Sequence, residues 1–211
     1  RNFYLNEVAN EHWSVKELER NIKSGYFKRI LSTQFPEKIG QTSKFVKDPY
    51  VLEFMGIKDN NAVIERDVEN AIISNLQKFL LEMGRGFCFV DRQMHICTET
   101  SDFYIDLVFY NYILKCFVLI DLKTHKLAHQ DIGQMDMYIR MFDDLKRQAD
   151  DNPTIGIIFC TDKDETMVKY SVLNESEQIF ASKYMTVLPT VEELRDELER
   201  NQLKYSENKS E

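Results

Sequence analysis

Glycine and proline are scarce in this chain, 7 and 4 of 211 residues, which excludes collagen-like and low-complexity architectures. The four cysteines, Cys88, Cys97, Cys116 and Cys160, form no CxxC pair, so a structural zinc site is not expected. Cys88, Cys116 and Cys160 fall in apolar, strand-like runs and read as small buried hydrophobes of a reducing compartment. No apolar run approaches the roughly 20 residues that span a bilayer. The opening RNFYLNEVANEHW lacks a signal-peptide core. The chain therefore reads as cytoplasmic, with no membrane partner. It opens on Arg1 rather than Met and reads as part of a longer protein. Neither an internal repeat nor a low-complexity tract is present.

What is there is a chain 43% hydrophobic and 12% aromatic, ample for a real core. The net charge of -8 excludes a strong nonspecific grip on nucleic acid but not a local basic track. The charge is uneven. Residues 1–47 hold nine Lys/Arg against five Glu, and the remainder holds 18 basic and 30 acidic residues.

Two parts are expected. Residues 1–47 read as a helical extension and linker, with Trp13, Leu18, Ile22, Phe27 and Leu31 at roughly helical spacing and a Ser14–Glu17 capping box. The stretch FPEKIGQTSKFVKDPY is the linker. Residues 48–211 read as a compact α/β domain. An amphipathic helix over 63–83 turns Val68, Ile72, Leu76, Phe79 and Leu80 inward. Strands follow at 86–96, 102–110 and 113–123, then a helix at 130–148, a strand at 154–160, a helix at 164–173, a short strand at 184–188 and an acidic helix at 190–201. The order predicts a mixed β-sheet flanked by helices.

Chemistry concentrates on the hairpin of the second and third strands. KCFVLIDLK is apolar between Lys115 and its end, where Asp121 and Lys123 share a face with Phe117 and Leu119. Asp106 is the one carboxylate in the interior of the preceding strand, 102–110. A tight turn at Asn111–Tyr112 sets Asp106 opposite about Phe117, so convergence with Asp121 calls for twist, a bulge or splaying. Two carboxylates and a backbone carbonyl such as that of Leu122 can hold Mg²⁺ or Mn²⁺. Such an ion acidifies water and offsets charge on a phosphate, and a neighbouring lysine stabilises the transition state. The same residues, taken alone, fit a buried Asp–Lys ion pair equally well. In the next helix Gln134 and Tyr138 stack at i, i+4 beside the stripe Ile132, Met135, Ile139 and Phe142, as substrate contacts or as a polar helix edge.

Asp106 followed by Asp121-Leu122-Lys123 resembles the D…(D/E)xK core of the PD-(D/E)XK nuclease superfamily, and Gln134-xxx-Tyr138 resembles the QxxxY motif of its RecB-like branch. WSVKELERNI, DPYVLEFMGI, FYIDLVFYN, GQMDMYI and PTIGIIFCTDKDE resemble blocks of YhcG-type bacterial proteins, over about residues 3–190. The resemblance implies a restriction-endonuclease-like fold and a metal-dependent nuclease acting on DNA, or a catalytically weak nuclease-fold module for nucleic-acid binding or assembly. It implies Asp106, Asp121 and Glu69 as metal ligands with the Leu122 carbonyl, Lys123 as catalytic lysine, and Gln134 and Tyr138 as supports. Asp121 stands where Glu is usual, and His125 and His129 replace an expected Gly and Pro. These two histidines are loop residues or phosphate contacts. Arg92, Lys126 and Lys163 are candidate phosphate contacts along the same edge, and each also fits a solvated charge. The basic segment Lys16–Arg29 suits DNA, a surface helix or a homo-oligomer contact through the N-terminal helices.

Overall fold

The computed structural model describes residues 2–27, 46, 50–57, 64–98, 100–171, 173 and 176–186. Its helices are α1 (Asn2–Glu11), α2 (Val15–Lys23), α3 (Glu65–Ser74), α4 (Leu76–Met83), α5 (His129–Leu145) and α6 (Glu165–Tyr170). Its strands are β1 (Tyr50–Val51), β2 (Phe87–Cys97), β3 (Asp102–Asn111), β4 (Cys116–Leu122), β5 (Ile155–Cys160) and β6 (Ile179–Met185). They form one mixed sheet in the order β1-β6-β5-β4-β3-β2. The β2–β3–β4 meander is antiparallel, and β4, β5, β6 and β1 run parallel. The expected acidic helix at 190–201 lies outside the described residues, as do Leu31 and most of the expected linker.

Each face of the sheet carries its own core. Val68 and Ile72 of α3 and Phe79 and Met83 of α4 pack on Leu107, Phe109, Val118, Ile120 and Phe159. On the other face Ile132, Met135, Tyr138, Ile139 and Phe142 of α5 pack on Val108, Leu119 and Ile158. Strand alternation explains the split: even residues of β4 face α3 and α4, odd ones face α5. A Cβ on Gly156 would collide with Met135 and Ile139, so glycine there lets α5 lie close on β5. Deleting a buried ring such as Phe79 is worth roughly 3–5 kcal/mol.

The sequence reading needs correction in five places. The helix over 63–83 breaks into α3 and α4 at Asn75, whose side-chain amide donates to the Ala71 carbonyl at 3.0 Å and competes with the helical ladder. The turn of the β3–β4 hairpin is Tyr112–Lys115 rather than Asn111–Tyr112. The Asn111 Oδ1 accepts from the backbone N–H groups of Ile113 and Leu114, and Lys115 takes φ 50°, which together close a longer turn. Cys88 is exposed on the edge strand β2, whereas Cys116 and Cys160 are buried. Ile22 is exposed as well, because α2 buries a narrow face, and Phe27, beyond the end of α2, is also exposed. β6 begins at Ile179, well ahead of the expected 184.

The N-terminal helices are tied to the α/β unit by Arg20. Its guanidinium pairs with Glu53 at 2.6 Å and Glu82 at 3.1 Å and donates to the Val51 carbonyl at 2.9 Å. The Ser14–Glu17 capping box is formed. Among the described residues no helix is long and apolar enough to cross a membrane.

Candidate active site

The longer turn resets the hairpin register. Leu107 pairs with Ile120, so the next position outward sets Asp106 across from Asp121 rather than near Phe117. The strand pairing ends there, and Asp106 Oδ2 accepts the backbone N–H of Leu122 at 2.7 Å. No long-range distortion is needed to bring the two acidic positions to one end of the hairpin.

Glu69 reaches this end from α3. It is buried, 6% exposed, although it carries a carboxylate. The side-chain amide of Gln93 donates to Glu69 Oε2 at 2.6 Å and to Asp106 Oδ1 at 3.0 Å. Arg92 Nε lies 3.9 Å from Glu69 Oε1. Glu65, Arg66, Glu69, Asn70, Arg92, Gln93 and Asp106 line an open cavity of about 430 Å³.

Asp121 and Lys123 form the second set. Lys123 Nζ lies 2.9 Å from Asp121 Oδ2, close enough for charge attraction. Among the described residues that ammonium is the one polar partner of this buried oxygen. Burial pushes the Asp121 carboxyl up to about 7; Lys123 opposes the shift, and the charges of Asp106 and Glu65 add to it. Burial pulls the Lys123 ammonium down, but the adjoining Asp121 carboxylate outweighs it and holds it above its ordinary range. The Gln134 amide donates to the Tyr138 hydroxyl at 2.6 Å. Burial raises the Tyr138 phenol, and the Asp121 and Asp106 charges raise it further.

Of the expected residues, Glu69 and Asp106 meet through Gln93, and Asp121 pairs with Lys123 at the same sheet end; Gln134 and Tyr138 lie on α5, within range of the Asp121 charge. Among the described residues no three His, Cys, Asp or Glu side chains already stand together at ion-holding distance. The donors are hard oxygens, the kind that Mg²⁺ and Mn²⁺ select. Lys126 lies apart, paired with Asp164 at 3.3 Å, and Lys163 donates to the Ala181 carbonyl. His125 is exposed and contacts the Lys126 carbonyl through Nδ1 at 2.8 Å, and His129 is exposed.

A family model described as the YhcG PDDEXK nuclease domain matches residues 43–199. The chain belongs to this family. It is 34% identical over 212 residues to the Escherichia coli (strain K12) protein named "Putative nuclease YhcG", covering 96% of this chain and 56% of that one. The chain therefore spans a little over half the length of this curated relative. Among solved structures, a repair endonuclease from Pyrococcus abyssi matches with TM-score 0.40 and 18% identity, over 60% of this chain and 49% of that one. An EndoMS–dsDNA2 complex matches with TM-score 0.42 and 14% identity, over 64% and 50%.

Gln93, Glu65, Arg66 and Asn70 line the cavity of this candidate site, and the sequence alone did not single them out. A correct register would have set Gln93 across from Asp106, between the pairs Arg92–Leu107 and Met94–Ile105. Nothing in the composition of β2 signals the backbone turn that aims its side chain.

Proposed function

We propose that the chain is a Mg²⁺- or Mn²⁺-dependent phosphodiesterase that cleaves DNA. Asp106, Asp121, Glu69 and the Leu122 carbonyl would hold the ion, which when bound supplies Lewis acidity to water and phosphate. The observation that carries this reading is the buried Asp121 carboxylate, whose Oδ2 has the Lys123 ammonium at 2.9 Å as its one polar partner among the described residues, across the hairpin from Asp106. A buried carboxylate left in that condition costs stability, so a ligand for it is the expected reason for keeping it.

The other groups take roles that their positions support. Lys123 presents a half-buried ammonium beside Asp121, where it would stabilise charge growing on the phosphate. Arg66, Arg92 and Asn70 line the cavity mouth and would meet phosphate oxygens of the strand. Tyr138, oriented by Gln134, would support Asp121 from the α5 side.

A second reading, a nuclease-fold module that binds or assembles without cleaving, is favoured by one observation. The carboxylates are engaged in two separate sets rather than gathered as three. Plasmid and linear DNA, with an RNA arm, incubated with and without Mn²⁺ beside Asp121→Ala and Lys123→Ala, separates the two. Mn²⁺-dependent DNA cleavage lost in both variants is expected. Equal cleavage by all three proteins, or no Mn²⁺ binding by calorimetry, would sink the first reading.

A further inference from the structure

We infer that Gln93 is a positioning residue that sets the Glu69–Asp106 carboxylate pair, and that its left-handed backbone is what lets one amide reach both. The inference rests on the metal-dependent reading above for its functional consequence. Ionised carboxylates only accept, so it is the NH₂ of Gln93 that faces them, with one hydrogen for each. Its distances are 2.6 Å to Glu69 and 3.0 Å to Asp106.

The backbone gives an independent observation. Gln93 has φ 48° inside β2. Asn, Asp and His are the side chains enriched there, not Gln. Such outliers persist where surrounding structure holds them, and they cluster at functional sites. A register irregularity between Phe89 and Asp91 lies just upstream.

The consequence is visible in the packing. On regular strands Arg92 and Met94 would share a face, as would Ile105 and Leu107. Here Leu107 packs in the α3–α4 core and Arg92 reaches Glu69, while Met94 and Ile105 pack with α5. The β2–β3 ribbon turns over at Gln93 and Asp106, and that turn aims both side chains at Glu69. Asp106 passes the constraint on, because its second oxygen accepts the Leu122 N–H at 2.7 Å. Gln93 therefore acts through Asp106 on the strand end that carries Asp121 and Lys123.

The test uses Gln93→Gly, which suits the positive φ and removes the whole side chain with its amide, and Gln93→Asn, which tolerates the backbone but is one methylene short. Two readouts are independent of cleavage. In metal-free protein, amide exchange at Leu122 is expected to accelerate in both variants. Exchange at Lys123, whose N–H donates to the Phe159 carbonyl at 2.8 Å, is expected to hold. By calorimetry without DNA, Mn²⁺ affinity is expected to fall on the order of 10-fold, as for other residues that orient metal ligands. Unchanged Leu122 exchange, or variants that bind Mn²⁺ as tightly as the wild type, overturns the inference. A wild type that binds no Mn²⁺ overturns the metal-dependent reading instead, and the exchange comparison still decides the role of Gln93.

Discussion

Glu82 and Asp121 are both almost fully buried carboxylates, 1% and 3% exposed, and each has a basic side chain beside it. Their surroundings differ. Glu82 Oε1 accepts the Val51 N–H at 3.2 Å and Oε2 accepts from Arg20 at 3.1 Å. Arg20 in turn satisfies Glu53 and the Val51 carbonyl. Every polar group there has a partner, and the network joins α2 to β1 and α4. Asp121 Oδ2 has one ammonium beside it as its polar partner, and further negative charges lie within range. One buried charge is arranged for stability. The other carries a burial cost that its neighbours do not offset, the pattern that the proposed ion-holding role of Asp121 would explain.

The comparison can be broken by mutation. The largest expected effect is on the structural side: Arg20→Leu leaves Glu82 buried and uncompensated and should cost about 3–5 kcal/mol in chemical denaturation. Lys123→Ala should lower the cleavage rate about 10²–10³-fold, the usual scale for removing one transition-state donor, while Arg20→Leu leaves the rate per folded molecule near wild type. Steady-state cleavage normalised to folded protein checks both.

A pH effect at Asp121 sharpens the contrast. The folded-state Asp121 carboxyl, at about 7, lies above its ordinary value. The folded protein therefore binds that proton more tightly than the unfolded chain. The resulting penalty is full above pH 7 and fades as the pH falls toward the unfolded value near 4. Asp121→Asn should stabilise metal-free protein by about 1–2 kcal/mol at pH 8, less than the full linkage because Lys123 loses its partner, and by little at pH 4. Thermal melts at the two pH values read this directly. The smallest expected effect is that of Tyr138→Phe, which removes the hydroxyl that accepts from Gln134 and should cost about 0.5–1.5 kcal/mol in cleavage or stability.

Periodicity made most of the fold legible. The apolar stripe of α5, Ile132, Met135, Ile139 and Phe142, is buried as its spacing requires, and so are Val68, Ile72 and Phe79 on α3 and α4. The alternation of β4 correctly divides Val118 and Ile120 from Leu119. What periodicity does not carry is register. The hairpin turn depends on Asn111 capping two backbone N–H groups and on Lys115 adopting a positive φ, and neither follows from hydrophobic pattern. The candidate site stands out in the sequence as residue types, because Asp121 and Lys123 are charges at the end of an otherwise apolar run. Gln93 does not, because its placement comes from a backbone conformation that Gln seldom adopts.

The central claim is that Asp121 is buried for chemistry and Glu82 for stability. A paired measurement on Asp121→Asn and Glu82→Gln at pH 8, with melting temperature and Mn²⁺-dependent DNA cleavage per folded molecule for each, tests it most directly. The account expects Asp121→Asn to melt at or above wild type with cleavage lost, and Glu82→Gln to melt lower with cleavage retained. Asp121→Asn that melts well below wild type and still cleaves DNA would contradict it.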